Sequence, residues 1–229
     1  MITTNVTAGK PKVAGAIFRA KLGTALPTDA TTTLSSAYDE IGYCSEDGVS
    51  NDNSRESKTI KAWGGDTVLT VQTSKTDKFK MTWIETLNVK TLKAVHGDDN
   101  VSGDLANGIT INVNSKELEA ASYVIDMLLR DNAIKRVVIP NAKIAEVDEV
   151  TYSDEDVVGY PVTLECMPDA NGNTHYEYIL RQVTYIYTAV TPVGTENPSE
   201  ENWYELVNGN YVATEDTSVN SSKTYYERS

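Results

Sequence analysis

The sequence predicts a mainly β protein: an antiparallel β-sandwich or barrel with one flanking helix, plus a small C-terminal β module. Three observations carry this. Thr, Val, Ile and Tyr, which suit strands, recur with Asn along the whole chain. Short apolar or alternating runs are separated by turn formers such as Glu46-Asp47-Gly48, Asn107-Gly108 and Asp169 to Asn173. Only two stretches, Thr86 to His96 and Lys116 to Leu129, place apolar residues at helical spacing.

The first strand is expected at Val13 to Leu22, small and apolar enough to be buried. A long polar segment follows from Gly23 to Ala62. Within it, Glu40 to Cys44 and Gly48 to Ser50 read as short strands around a Glu46-Asp47-Gly48 hairpin turn, because Asp-Gly accepts the positive φ that tight hairpins need. Asp66 to Ser74 and Lys78 to Glu85 read as two further strands. In the second, Phe79, Met81 and Trp83 alternate with Lys78, Lys80 and Thr82, the period-two pattern of a half-buried strand with those three in the core. Thr86 to His96 is the expected helix, with Leu87, Thr91, Leu92 and Val95 on one face and Gly97 as its stop. Asn107-Gly108 feeds a strand at Ile109 to Val113. Lys116 to Leu129 fits a helical stripe, yet the connector Asp131 to Lys135 between two apolar runs favours strand from Ser122 onward. Pro140 is expected to end the next strand. Strands at Ala142 to Tyr152, Val157 to Met167 and His175 to Tyr185 complete the main body.

Composition shifts near Thr184, suggesting domains at 1–184 and 185–229. The second part holds six of the thirteen tyrosines, one of the three tryptophans and very little Leu or Ile. Its core must rest on Trp203, Tyr204, Tyr211, Tyr225 and Tyr226. Asn202-Trp203-Tyr204-Glu205 is echoed by Thr224-Tyr225-Tyr226-Glu227, and Thr191 to Pro198 reads as a linker.

Charge and motifs narrow the function. The 229 residues carry 20 basic and 33 acidic side chains, a net charge of −13, which argues against a protein that grips phosphates. No apolar run is long enough to span a bilayer, and Met1 to Ala20 lacks the pattern of a secretory signal, so membrane insertion and export are not expected. Cys44 and Cys166 read as free thiols on strands or as a cross-chain disulfide. His96 and His175 stand without a second ligand at motif spacing and read as surface residues. Asp169, Asn171 and Asn173 imitate a calcium loop, but Thr174 and Leu180 occupy positions where that loop needs Gly and Glu. No catalytic constellation, metal site or cofactor motif is found, so no enzyme is expected. The sequons at Asn5, Asn100 and Asn220 carry little weight.

The order of segments resembles a known family. Asp39-Glu40-Ile41-Gly42-Tyr43-Cys44-Ser45-Glu46-Asp47-Gly48-Val49, then Ala62-Trp63-Gly64-Gly65-Asp66, the Phe79 to Trp83 strand, the helix after Glu85 and Gly159-Tyr160-Pro161-Val162-Thr163-Leu164 carry the resemblance. Over residues 10 to 180 the chain resembles the major tail proteins (tail tube proteins) of long-tailed, non-contractile bacteriophages. The resemblance implies hexameric rings stacked into a hollow tube that conducts DNA without binding it specifically. It also implies contacts with a tape-measure protein and with terminator and tip proteins, in the virion tail and, during assembly, in the host cytoplasm. The last 45 residues resemble small modules appended to such proteins.

On this reading Glu46 to Asp66 is a ring-to-ring contact or a mobile surface loop. The candidate assembly residues are Glu46, Asp47, Arg55, Lys58, Trp63 and Asp66, with Trp63 an interface anchor or a core side chain. Trp203, Tyr204, Tyr211, Tyr225 and Tyr226 are the candidates for surface attachment. The alternative function is a cell-surface or virion adhesion module that stacks these aromatics on carbohydrate.

Overall fold

The computed structural model describes residues 5–12, 16–181, 187–190, 197–198, 203–207, 210–215, 218, 220 and 223–228. The chain forms two compact units, 1–181 and 182–229. In the first, the elements in chain order are β1 (Lys10–Pro11), β2 (Ile17–Lys21), β3 (Asp39–Gly42), β4 (Cys44–Lys61), β5 (Thr67–Trp83), helix α1 (Val89–His96), β6 (Val101–Asp104), β7 (Gly108–Ile111), β8 (Ala121–Leu128), β9 (Ala133–Val147), β10 (Tyr160–Cys166) and β11 (Tyr176–Arg181). Nine of these strands form one antiparallel sheet in the order β3-β2-β8-β9-β10-β5-β4, with β1 also on β8 and β11 also on β9. β6 and β7 make a separate hairpin.

The mainly β, antiparallel fold with one helix is as the sequence predicts, but the sheet is not a closed barrel. It curls instead. Trp83 on β5 and Tyr123 on β8 are three ladder steps apart, about 14 Å in a flat sheet, yet their rings stack at 6.5 Å. The concave face therefore encloses one apolar cluster, including Ile17, Ile41, Phe79, Met81, Trp83, Ile125, Ile139 and Leu164. On β8 and β9 the alternate residues Val124 and Val138 join Ala20 and Tyr38 in a second cluster on the opposite face. Both faces of these central strands are thus dry.

Helix α1 closes one side of the larger cluster with Leu92, Ala94 and Val95. Its start is set by Asn88, whose side chain accepts from Lys90 N at 3.0 Å. Gly97, at φ 98°, ends it and donates its N–H to Lys93 O. Buried Thr91 donates to Ile41 O at 2.6 Å and pins the helix to β3. Leu87, expected on the buried face, precedes the helix and is exposed.

Several local expectations are corrected. Glu46-Asp47-Gly48 is not a hairpin turn but part of a bulge inside β4, where Cys44 pairs with Trp83 and Val49 already pairs with Met81. The two strands expected at Asp66 to Ser74 and Lys78 to Glu85 are one, β5. Pro140 does not end a strand. It sits inside β9 where the partner on one side changes from β11 (133–138) to β10 (142–147), so its missing N–H removes no ladder bond there. Opposite, the β8 register also shifts, and Ser122 Oγ donates to Pro140 O at 2.7 Å. β6 was not expected, and the part of the first strand at 13–15 lies outside the described residues. Strand at Ala121–Leu128 follows the strand reading of that ambiguous stretch. Both cysteines are free, each with its thiol pushed up to about 12 by burial.

The polar segment 23–38 is held over the second cluster by a buried ion pair. Asp126 and Arg136 face each other on β8 and β9, bidentate at 2.7 and 2.8 Å. The remaining guanidinium nitrogen donates to Thr32 O at 2.7 Å and Asp29 O at 3.3 Å. Arg136→Met leaves a carboxylate buried without this partner, and half-exposed Lys12, 3.9 Å away, does not replace it. Urea unfolding of that variant is expected to show a loss of about 3–5 kcal/mol, whereas Asp126→Leu with Arg136→Met should recover most of it. Equal losses in both variants would show that the carboxylate–guanidinium contact is not the source.

Candidate assembly site

β4 and β5 are far longer than their neighbours. β10 pairs with β5 only between Lys78 and Trp83. Beyond the Asn53–Asp77 pair the two strands continue together to Lys61–Thr67, and among the described residues they have no other strand partner. This free ribbon reaches about 25 Å past the sheet, and residues 50–75 are all exposed. The expected loop is therefore a hairpin arm. Its tip is closed by Ala62 N–H to Asp66 O (2.8 Å) and Gly65 N–H to Ala62 O (3.0 Å), with Gly64 and Gly65 at φ 119° and 101°. Those angles require glycine or strain.

The tip carries the most exposed apolar side chains of the arm. Trp63 is fully exposed, which decides against a core role within this chain. Ile60 and Leu69 are directly opposed, and Val71 lies two residues along on the same face. Val68 sits where the register shifts. All four are exposed, and a cluster of this kind is a mark of an interaction surface. Arg55 reaches across to Gln72 Oε1 at 3.0 Å, while Lys58 has no ion pair among the described residues.

The structure divides the predicted residues. Arg55, Lys58, Trp63 and Asp66 lie on the arm; Glu46 and Asp47 lie in the bulge at the other end of β4, exposed and without an ion pair among the described residues.

Sequence reasoning missed the base of the arm. There Asp77 is 2% exposed and accepts from Asn51 Nδ2 at 2.8 Å, from Thr174 Oγ1, and pairs with His175 Nδ1 at 2.6 Å. His175 also meets Phe79 edge-on at 5.2 Å, so it is not the surface residue expected. His96 is likewise half-buried, edge-on to Tyr160, and burial lowers its pKa. The Asp77 cluster ties β4, β5 and the β10–β11 loop together where the arm leaves the sheet. Asp77 and His175 alone are 98 residues apart, and no local motif could have announced the cluster.

The second unit is a four-stranded antiparallel sheet in the order β12-β15-β13-β14, with β12 at Tyr187–Val190, β13 at Tyr204–Val207, β14 at Asn210–Ala213 and β15 at Tyr225–Arg228. The echoed segments fall on adjacent strands, Tyr204 opposite Tyr226. Trp203 and Tyr225 are buried and in contact at 5.7 Å, so these two form core and are not free to stack on a ligand. Tyr211 packs edge-on to Tyr226 at 4.9 Å, and Arg228 lies 4.9 Å over the Tyr204 ring. Tyr211 is the most exposed of the five. The linker expected at Thr191 to Pro198 lies mostly outside the described residues.

A family model described as phage tail tube protein matches residues 7–189. The chain belongs to the phage tail tube protein family. It is therefore a structural component of the tail tube, and the resemblance read from the segment order is confirmed. The match includes the whole described sheet with its arm and stops inside β12; most of the second unit lies beyond it. No curated protein matches the chain.

The Asp77 cluster has a pH signature. Burial raises the Asp77 pKa, but hydrogen bonds from Thr174, Asn51 and His175 and the His175 charge outweigh it and hold the carboxyl below its ordinary value. Its contribution to stability is thus present above the unfolded-state pKa and lost as pH falls through the folded one. Asp77→Asn should be less stable than wild type at neutral pH, with a flatter loss of stability below about pH 4. Parallel acid-unfolding curves for the two would show that the cluster contributes nothing through charge.

Proposed function

We propose that six copies close a ring and that rings stack into the hollow tail tube, which encloses a tape-measure protein before infection and conducts DNA during ejection. Terminator and tip proteins bind its ends. Assembly takes place in the host cytoplasm. The net charge of −13 suits a conduit that DNA passes without adhering, because like charge repels the phosphate backbone.

The observation that carries the assembly reading is the arm: a projecting ribbon with an unburied indole and aliphatic side chains at its tip. A two-stranded ribbon alone is marginal in water, and its apolar tip is satisfied by a neighbouring subunit. We assign it the contact between successive rings. The arm is a ladder, so it must be shortened in both strands at once. Replacing residues 56–74 by Asn-Gly is expected to leave a folded, soluble subunit that no longer forms long tubes by negative-stain microscopy. Tubes of normal length from this variant would remove the arm from assembly.

We assign the second unit to the outside of the tube, as a surface attachment module. β12 pairs with β15, so a cut at Arg181 divides the chain cleanly, whereas one at Val190 would strand β12. A chain ending at Arg181 is expected to keep its β circular dichroism and its assembly while losing attachment to host surface or glycan. Failure to assemble where the full chain does would place residues 182–229 in the tube itself.

A further inference from the structure

The first unit carries an open apolar groove at the other end of β4. It has a volume of about 650 Å³ and is lined by Cys44 and Val49 of the bulged strand start, Ile125, Met127 and Leu129 of β8 and its end, and Ile179 of β11. Ile179 is 61% exposed although it stands among these apolar neighbours. Glu46 and Asp47 also line the groove and have no ion pair among the described residues; Lys10 and Lys135 line it too, with Thr7 and Ser45, and Lys135 is already engaged by Glu177 at 2.6 Å.

The arm tip is complementary to this site. Trp63, fully exposed, and Ile60 and Leu69, about half exposed, supply apolar surface left open among the described residues. Lys58 and Lys61 flank them without ion pairs among the described residues and are opposite in charge to Glu46 and Asp47 of the bulge. Yet within one chain the two cannot meet. Val49 and Lys61 are twelve residue steps apart along one continuous strand held in a ladder with β5, about 40 Å.

We propose that the groove beside the β4 bulge receives the arm tip of a second copy, with the Trp63 indole entering between Val49, Met127 and Ile179, and Lys58 and Lys61 meeting Glu46 and Asp47. This rests on the reading of the arm as the contact between copies and names its receptor. With successive copies in the same orientation, as stacked rings require, the contact is head-to-tail and propagates, whereas reciprocal exchange of arms would close a two-fold pair. It also fixes a length. Because Trp63 of one copy lies beside Val49 of the next, equivalent points on successive copies are displaced by about the span of the arm, roughly 40 Å.

The test is a charge exchange on the full chain, read by sedimentation and negative-stain microscopy. Glu46→Lys with Asp47→Lys, and separately Lys58→Glu with Lys61→Glu, are each expected to reduce polymer at least tenfold, and the fourfold variant to restore it. All these positions are exposed, and circular dichroism checks that the monomers remain folded. A second readout uses Trp63→Cys with Ile179→Cys and a short bis-maleimide, all in a Cys44→Ser background because the native Cys44 thiol is free and lines the same groove. The double variant should give a ladder of cross-linked oligomers, whereas each single variant should not. Polymer at the wild-type level in either charge-reversed variant, no recovery in the fourfold variant, or no ladder would overturn the groove as receptor. If the shortened-arm variant still fails to form tubes in that case, the arm remains the contact and only its receptor is wrong. If the shortened-arm variant forms normal tubes, or wild type forms none, both readings fall.

Discussion

Unequal strand length is the constraint on which the molecule turns. β10 leaves β5 at Lys78, while β4 and β5 go on pairing to Lys61 and Thr67. Below that boundary every strand has neighbours on the sheet and Phe79, Met81 and Trp83 face the core. Above it the same two strands have water on both faces. One hairpin thereby does two jobs, core wall and projecting arm, and the Asp77 cluster sits at the change of environment. A carboxylate buried there is tolerable because Asn51 of β4 and Thr174 and His175 of the β10–β11 loop satisfy it.

How much of this the sequence reveals depends on whether a feature is local. The Phe79 to Trp83 alternation, the Asn88 to Gly97 helix and the strand character of Ser122 onward are visible because each face is apolar at a fixed period. The arm is not. Its exposed strands have no buried side to impose alternation, so Asn51 to Lys61 has the composition of a loop and only the partner strand makes it a ladder. Asp-Gly at 47–48 misleads for a related reason: positive φ at Gly48 serves a bulge as well as a turn. Pro140 is tolerated at a change of strand partners, which is a property of topology. Ion pairs such as Asp126–Arg136 and Asp77–His175 join residues on different strands, and one sequence without its register does not show them.

The candidate residues divide along the same line. Glycines, an aromatic and charges around 46–66 point to an assembly surface, and the structure separates them into the bulge near the start of β4 and the projecting arm with its tip. In the second unit the reading of five aromatics as both core and ligand surface was too generous to each. Trp203 and Tyr225 have gone inside, and Tyr211 retains the outward position.

The arm and the groove also differ in when they come into being. The hairpin closes on itself through a five-residue tip, and such local contacts form in microseconds. The groove needs Cys44, Leu129 and Ile179 brought together from 135 residues of chain, and distant pairings of this kind are slow. An emerging chain thus exposes its adhesive tip early, while no chain offers a seat for it until β11 has docked on β9. On the proposed contact, a half-made chain has a tip but no seat, so no further copy can add to it until its own body is complete.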